Sequence, residues 1–474
     1  MLFGLDRSQA TLSMNSSAVP KIAVAETLAQ KIAALDVARL PPAVRRKCEE
    51  LLIDVVGLAV TARNEDYVKS VIAACDDDGP CTAIGLTRTL SAAAAALVNG
   101  TAIHGEDFDD TFEGGPVHAG AVIVPAVLAA CERHRRDGKA ALLGIAVGVE
   151  TMCRLSLVAP TRTHKAGFHP TAVFGTIGAA AGVGAALDLS PRQLVDALGN
   201  AGSMAGGIIE YLAEGASTKR LHAGWAAQAG MRAALLGRAG FSGPRTVFEG
   251  AHGLFYAFAH TTAGDFAAVT EGFGAQWVTE TLAFKPYPCG TMTHPYIDCA
   301  RRLGRRVKAD DIVEMVCDVG EGTVHRLWEP LAAKQRPANG YAGKFSTPYC
   351  IACGFVRGQA GLTVGLSDFS DAAMHDPSVL ALAAKVRYRI DPQNPYPKNF
   401  TGHIRATLRD GSVVEEHQPH MHGGAHEPLT RGDIEEKFLL NAKHGGWSEQ
   451  RAKAALKLIA GLFDGPVELS ELRG

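Results

Sequence analysis

Two histidines stand directly in front of apolar runs that are typical of helices. His118 precedes "AGAVIVPAVLAAC", and His169 precedes Pro170, a residue type favoured at the first position of a helix. The dipole and free N–H groups of a helix start disfavour a positive ring, so we expect both imidazoles to have lowered pKa values. A neutral imidazole accepts a proton at neutral pH, and a helix start suits an anion. The pair therefore predicts acid–base chemistry on an anionic molecule.

The segment "HGEDFDDTFEGGPVHAG" (104–120) carries five carboxylates and two histidines between two apolar stretches. An EF-hand starting at Asp107 would need glycine and glutamate where the chain has Phe112 and His118. Neither HExxH nor a paired CxxC motif occurs, so the spacing predicts no metal site. A looser metal cluster of Asp107, Asp110 and a histidine remains an alternative. We expect the other acidic residues of the segment to cap helices or face solvent: Glu106, Asp109, Asp110 and Glu113.

A third helix start, "STKRLHAGWAAQAG", adds Lys219 and His222, with Ser217 and Thr218 as candidate capping residues. A lysine at a helix N-terminus opposes the helix dipole. An anion bound beside Lys219 would remove that conflict, so this helix start is a candidate carboxylate site.

A proline-rich turn supplies another cation in "FKPYPCGTMTH". Lys285 is followed by Pro286, Tyr287 and Pro288, and such a stiff turn aims an ammonium group at a low entropic cost. Cys289 lies in the same polar loop, where no neighbouring base is evident and an unreactive thiol is favoured.

The composition narrows the class of protein. A chain of 474 residues suggests about two or three domains, and a net charge of −2 offers no basic field for nucleic acid or a membrane surface. Ten cysteines, mostly in apolar or helical runs, indicate reduced thiols and a cytoplasmic protein. The first twenty residues lack the pattern of a signal peptide, and we expect a disordered tail over 1–20.

The periodicity predicts a mainly α-helical fold. Helical spacing recurs from residue 23 to about 240 and again from about 428, in "RGDIEEKFLLNA" and "SEQRAKAALKLIAGLF". Between them, "DDIVEMVCDV", "AAKVRYRIDP" and "GHIRATLRDGSVVEEHQP" predict strands, the last with a hairpin at Asp410-Gly411. We therefore predict a large helical domain from 21–268 and 426–474, with a smaller α+β lid domain inserted over 269–425.

These segments together resemble the MmgE/PrpD family over nearly the whole chain. The resemblance rests on "NGTAIHGEDFDDT", "VHAG", "GFHPTAVFGTIGAAAG", "EGASTKRLHAGWAAQAGMRAALLGRAGFSGP", "FKPYPCG" and "KFSTPYCIACG". It implies a homodimer, a helical domain with a lid domain, a cleft between them, and no required cofactor or metal. The family's site residues match six positions of this chain: Asp107, Thr111, His118, His169, Lys219 and Lys285.

The chain also departs from individual members of the family. Its acidic loop, the segment 104–120, is one residue longer between Thr111 and His118 than in the cis-aconitate decarboxylases. Where those enzymes have a lid histidine, five residues after the lysine, this chain has Gly290, preceded by Cys289. The "KPYPCG" form also differs from the "FPAEFH" form of the 2-methylcitrate dehydratases.

The expected chemistry is removal of a proton from the carbon next to a carboxylate of a di- or tricarboxylate, without a cofactor. His169 is the leading base and His118 its partner, while Asp107 and Thr111 orient a histidine or bind a substrate hydroxyl. Lys219 and Lys285 would clamp carboxylates, and the remaining candidate substrate-binding residues are His222, Tyr287 and Cys289. A dehydratase is favoured. An iminodisuccinate-type epimerase, a decarboxylase, a non-catalytic polycarboxylate-binding protein and a metal-dependent hydro-lyase remain alternatives.

Overall fold

The computed structural model of the chain describes residues 22–474. The predicted tail over 1–20 lies outside the described residues. The helices are α1 (Val24–Ala33), α2 (Pro42–Ala62), α3 (Asp66–Ala73), α4 (Ala92–Gly105), α5 (Gly120–His134), α6 (Gly138–Val158), α7 (Arg162–Lys165), α8 (Pro170–Ala186), α9 (Pro191–Met204), α10 (Tyr211–Glu214), α11 (Thr218–Arg238), α12 (Leu254–Ala259), α13 (Ala267–Thr270), α14 (His294–Gly304), α15 (Glu321–Leu327), α16 (Leu331–Gln335), α17 (Gly340–Gly343), α18 (Thr347–Gln359), α19 (Pro377–Ala383), α20 (Arg431–His444) and α21 (Glu449–Gly461).

The described residues confirm the mainly helical prediction: α1 to α11 lie between residue 23 and about 240, and α20 and α21 lie after residue 428, where helical spacing was found. Local signals explain this agreement. Pro42, Pro170 and Pro191 each occupy the first turn of a helix, and the side chains of Ser91, Ser190 and Ser448 accept hydrogen bonds from backbone N–H groups of the helices that follow them. Ser217, a candidate cap of α11, makes no such bond.

The strands are few and short. They are β1 (Asp78–Thr82), β2 (Thr89–Leu90), β3 (Thr111–Phe112), β4 (Leu282–Ala283), β5 (Ile312–Val319), β6 (Val386–Ile390), β7 (Gly402–Leu408) and β8 (Val413–Gln418). The last four form a sheet of order β6-β5-β7-β8, in which β5 pairs parallel with β6 and antiparallel with β7. The predicted hairpin is confirmed as β7–β8, with Gly411 in the left-handed region (φ 81°). β3 and β4 form a separate pair that joins two distant parts of the chain.

Two large hydrophobic clusters organise the packing. The first contains buried residues from Ala25 to Phe284 and from Leu429 to Leu472, so both ends of the described chain contribute to it. The second runs from Tyr287 to Ala406 and contains the four-stranded sheet with α14 and α18. The division into a helical domain and an inserted lid at the stated boundaries stays a prediction.

Glycine allows the closest helix contacts in the first cluster. A Cβ atom added to Gly182 of α8 would lie 2.6 Å from the carbonyl oxygen of Gly144 in α6 and 3.1 Å from the Cα atom of Gly148. Gly178 meets Gly148 in the same way. α6 is also the one described helix long and apolar enough to cross a membrane, but 89% of its apolar window is buried within the protein. These contacts fix α8, whose first residue follows His169.

We expect Gly182→Ala to lower the free energy of unfolding by about 1–3 kcal/mol, because the added methyl group overpacks the α6–α8 contact. The matched control is Gly461→Ala at the end of α21, where an added Cβ has nothing within 4 Å. The control should leave stability unchanged or raise it by up to about 1 kcal/mol through helix propensity. Urea unfolding of both variants tests this, and equal shifts would contradict the close contact.

Candidate active site

A cavity of about 680 Å³ collects most of the predicted site residues. Its walls come from the acidic loop, the N-termini of α8 and α11, the segment after β4, and the stretch from α15 to α17. Six of the nine predicted residues line it: Asp107, Thr111, His118, His169, Lys219 and Lys285. Gly290 lines it as well. The helix starts that carry His118, His169 and Lys219 therefore share one cavity.

The β3–β4 pair brings the acidic loop and the second lysine together. Thr111 is opposite Ala283 in this pair, so Lys285, two residues beyond Ala283, lies beside the loop. Its Nζ atom donates a hydrogen bond of 2.9 Å to the carbonyl oxygen of Asp107. Asp107 has a left-handed backbone conformation (φ 53°), which is uncommon for a residue with a side chain and is found mainly where the surroundings impose it.

Asp107 pairs with both lysines of the cavity. Its Oδ1 atom lies 2.5 Å from Nζ of Lys219 and 3.3 Å from Nζ of Lys285, and all three side chains are buried. Burial alone would raise the pKa of Asp107, but the two ammonium charges hold it well below its usual range. The anion predicted beside Lys219 is therefore present within the protein. Asp107 therefore bridges the two lysines that are predicted to clamp substrate carboxylates.

His118 is held in a defined tautomer. Its Nδ1 atom lies 2.7 Å from the carbonyl oxygen of Asp110, and a carbonyl can only accept, so Nδ1 carries the proton. In the neutral ring, Nε2 then carries a lone pair. Burial lowers the pKa of His118 to about 3, against an ordinary value of 6.5, so the ring is neutral at pH 7. The direction agrees with the pKa shift predicted at the helix start, but burial, not the helix dipole, is its largest cause.

His169 directly precedes α8 and contacts a second histidine. Its backbone N–H donates to the carbonyl oxygen of Gly207, and its Nδ1 atom lies 3.1 Å from Nδ1 of His222. Burial and the neighbouring positive groups lower the pKa of His169 well below its usual range, and burial lowers that of His222 to about 4. His222 itself does not line the cavity. Its predicted place on the substrate is corrected to a contact with His169, which does line the cavity.

A buried histidine–aspartate pair was not predicted. His104 Nδ1 lies 2.7 Å from Oδ2 of Asp109, both side chains are fully buried, and Oδ1 of Asp109 is 3.6 Å from His118 Nδ1. The centroid of the His104 ring lies 5.0 Å from that of His118 and 5.6 Å from that of His169. The expectation that Asp109 caps a helix or faces solvent is wrong. The available signal was a histidine five residues before an aspartate, at the end of an apolar helix.

The other acidic residues have structural partners. Asp110 accepts hydrogen bonds from the backbone N–H groups of Ala119 and Gly120 and so caps α5, as expected. Glu106 forms an ion pair of 2.5 Å with Lys344, and Glu113 accepts from the N–H group of Ala425. The alternative metal cluster of Asp107, Asp110 and a histidine is therefore not assembled.

Within residues 22–474, His104, Asp109 and His118 bring ligand-type atoms within 4.8 Å of one another. The Nδ1 atoms of both histidines already have hydrogen-bond partners. Lys285 adds positive charge that acts on both Asp109 and His118. The three side chains therefore fit a hydrogen-bonded network better than a cation site.

Tyr287 and Cys289 do not line the cavity. The hydroxyl group of Tyr287 donates to Asp298 and accepts from Arg301, and Sγ of Cys289 lies 3.1 Å from Oγ1 of Thr293. Both side chains belong to the second hydrophobic cluster. The prediction that they contact substrate is corrected, because the turn after Lys285 directs them into that cluster.

A group of basic residues also lines the cavity and was missed from the sequence. Its members lie in α7, in α15, in α16 and directly after α16: His164, His325, Arg326, Lys334 and Arg336. Nη1 of Arg326 lies 3.4 Å from Nε2 of His164, whose pKa burial lowers to about 4. These residues lie in short helices and loops without a recognisable motif, so only the fold shows that they share the cavity.

Comparisons with known proteins show similarity over most of the chain. The MmgE/PrpD N-terminal domain model matches residues 26–266, and the MmgE/PrpD C-terminal domain model matches residues 287–460. A cis-aconitate decarboxylase of Homo sapiens is 31% identical over 78% of this chain and 76% of that protein. A cis-aconitate decarboxylase-like protein, oryM, of Aspergillus oryzae is 28% identical over 89% of this chain and 91% of its own.

A cis-aconitate decarboxylase of Aspergillus terreus is 28% identical over 84% of this chain and 85% of its own. The two domain models together account for most of the described residues, including every residue that lines the cavity except Lys285. The chain belongs to the MmgE/PrpD family.

Proposed function

We propose that this protein is a lyase that removes a proton from the carbon next to a carboxylate of a di- or tricarboxylate and then eliminates a β-hydroxyl group. The acid of the acid–base pair protonates this hydroxyl group, which leaves as water, and an alkene is formed. The family and the relatives named above support an enzyme of the lyase type that acts on a carboxylate. The preference for elimination over decarboxylation rests on the residues that line the cavity.

The charge of the cavity is the observation that carries the proposal. Two carboxylates, Asp107 and Glu329, line the walls against five cationic side chains: Lys219, Lys285, Arg326, Lys334 and Arg336. Because Asp107 occupies the lysine pair, the guanidinium groups of Arg326 and Arg336 are the better candidates for binding the substrate's carboxylates. Arginine suits this role, since its planar donors match a carboxylate in a bidentate manner.

The acid–base pair would consist of His118 and His169. His118 has a free Nε2 lone pair in a fixed tautomer, which favours it as the base over the sequence-based preference for His169. His169 shares a single proton with His222 between their Nδ1 atoms when both rings are neutral, so it can serve as donor or acceptor. The protonated lysine pair would stabilise negative charge that develops on the substrate.

Gly290 supports elimination over decarboxylation. It lines the cavity at the position where the decarboxylases have a lid histidine, and it brings no side chain there. Decarboxylation remains the second candidate because the curated relatives named here are cis-aconitate decarboxylases.

The deciding experiment is an NMR screen of di- and tricarboxylates, cis-aconitate included, in deuterated water. Elimination predicts an alkene product or, in reverse, hydration of an added alkene. Exchange of an α-hydrogen with deuterium without any alkene would support an epimerase, and loss of carbon dioxide would support a decarboxylase.

We expect His118→Gln and His169→Gln each to lower kcat by about 10²–10⁴-fold, the usual contribution of a positioned acid or base. Ligand affinity, measured by calorimetry, should change much less. His252→Gln is the matched control, since His252 does not line the cavity. Unchanged turnover in both site variants would favour a non-catalytic polycarboxylate-binding protein.

The buried histidines predict a pH dependence of stability. A histidine whose pKa falls from 6.5 in the unfolded chain to about 3 in the folded one binds fewer protons when folded, so its stabilising contribution is present above pH 6.5 and is lost as pH falls toward 3. The free energy of unfolding should therefore decrease from pH 7 to pH 4, and less steeply in His118→Gln. Urea unfolding at several pH values measures this. Equal slopes would show that His118 is not held neutral by the fold.

Arg326→Gln should raise KM by about 10–100-fold with a smaller change in kcat, because a charge-assisted hydrogen bond to a carboxylate contributes roughly 1.5–3 kcal/mol. Arg305→Gln, at an exposed position outside the cavity, is the control. Steady-state kinetics on the acid found in the screen test this. An unchanged KM would remove Arg326 from the proposed carboxylate site.

A further inference from the structure

Four consecutive carbonyl groups of the acidic loop accept hydrogen bonds from cationic side chains. The donors come from four separate parts of the chain: Arg220 Nε to Gly105 O (3.0 Å), Lys344 Nζ to Glu106 O (2.7 Å), Lys285 Nζ to Asp107 O (2.9 Å) and Lys437 Nζ to Phe108 O (2.7 Å). Buried carbonyl groups need partners, and here each partner is a charged side chain instead of a neighbouring strand or helix.

The four carbonyl groups of residues 105–108 lie at the part of the loop that carries Asp107, so their contacts bear on the site as well as on stability. Asp107 has the left-handed backbone conformation and carries the carboxylate that bridges the cavity lysines. Lys285, Lys344 and Lys437 are each less than a tenth exposed, although burying an ammonium group is unfavourable without strong partners. Three buried lysines thus bind the backbone of the loop on either side of Asp107 and at Asp107 itself, where the left-handed conformation needs support from its surroundings.

Lys437 can be separated experimentally from the cavity. It lies on α20 and does not line the cavity. Its Nζ atom contacts the carbonyl oxygen of Phe108, lies 3.9 Å from the centroid of the Phe108 ring, and lies 2.6 Å from Oδ1 of Asp54 on α2. An ion pair between α2 and α20 alone would not require the contact with Phe108.

We propose that Lys437 is a positioning residue, which through the carbonyl group of Phe108 holds the acidic loop so that Asp107 stays between Lys219 and Lys285. Lys344 has the same role two residues earlier, at Glu106. The inference deepens the proposed function, since it assigns residues that orient the same site. Its structural part is independent of which reaction occurs there.

Two matched pairs of variants distinguish loop positioning from general stability. Lys437→Met removes the donor to Phe108 and the ion pair, whereas Asp54→Asn removes the ion pair but leaves an amide oxygen that still accepts from the lysine. Lys344→Met and Glu106→Gln form the second pair, because Glu106→Gln keeps the backbone contact of Lys344 at residue 106. Lys437→Arg keeps a cationic donor and should restore the loop.

The first readout is hydrogen–deuterium exchange of the peptide covering 104–112 in the full-length protein, which requires no substrate. We expect about tenfold or faster exchange in Lys437→Met and Lys344→Met, and values near those of the unmodified protein in Asp54→Asn, Glu106→Gln and Lys437→Arg. Equal exchange within each pair, or a loop unaffected by both methionine variants, would overturn the proposal. Should Lys437→Met fail to fold, the Lys344 pair and Lys437→Arg still decide it.

The second readout is turnover of the di- and tricarboxylates in the screen, cis-aconitate included. The methionine variants should lose about 10–100-fold in kcat with little change in KM, as expected for misplacement of catalytic groups by about an ångström. Faster loop exchange with no turnover by any protein, the unmodified one included, would count against the proposed function and leave loop positioning supported.

Discussion

The buried ion triad of Asp107, Lys219 and Lys285 is the interaction on which the rest of the site depends. It joins the acidic loop, the start of α11 and the segment after β4, which are far apart in sequence. Two ammonium groups and one carboxylate in a buried position are stable only together, because removing the carboxylate would leave two like charges uncompensated. This constraint fixes the distance between the start of α11 and the β3–β4 pair. It also separates the cations that belong to the protein's own framework from those that remain for a ligand.

Whereas the members of the triad stay charged although they are buried, the buried histidines are held neutral. His118 and His169 have lowered pKa values because they are buried and close to lysine side chains, so a further positive charge there would be unfavourable. The same positive surroundings favour a polycarboxylate. Neutral bases and an anion-attracting cavity are therefore two results of one charge distribution, and a change to the lysine pair should disturb both.

The sequence was sufficient for those parts of the fold that depend on local signals. Apolar runs predicted the starts of α5, α8 and α11, with Pro170 as a further signal for α8, and so placed His118, His169 and Lys219 at or next to helix N-termini. The pairing of Lys219 with Asp107, 112 residues away, has no local signal. The same holds for Arg326 and Arg336, and for the parallel pairing of β5 with β6. The predicted places of Tyr287 and Cys289 were wrong because a proline-rich turn indicates that side-chain directions are fixed but does not indicate which side chains point into the cavity.

In the proposed reaction, the lysine pair stabilises the negative charge that develops on the substrate. Asp107 keeps Lys219 protonated by raising its pKa despite burial, so the ammonium group is present before any substrate binds. A substrate carboxylate in its ground state meets a pair whose charge Asp107 has partly offset. When the α-carbon loses its proton, the additional negative charge develops on the carboxylate, and only then does the surplus positive charge of the pair have its full effect. An arrangement that stabilises the transition state more than the ground state raises kcat, whereas two free lysines would mainly tighten substrate binding.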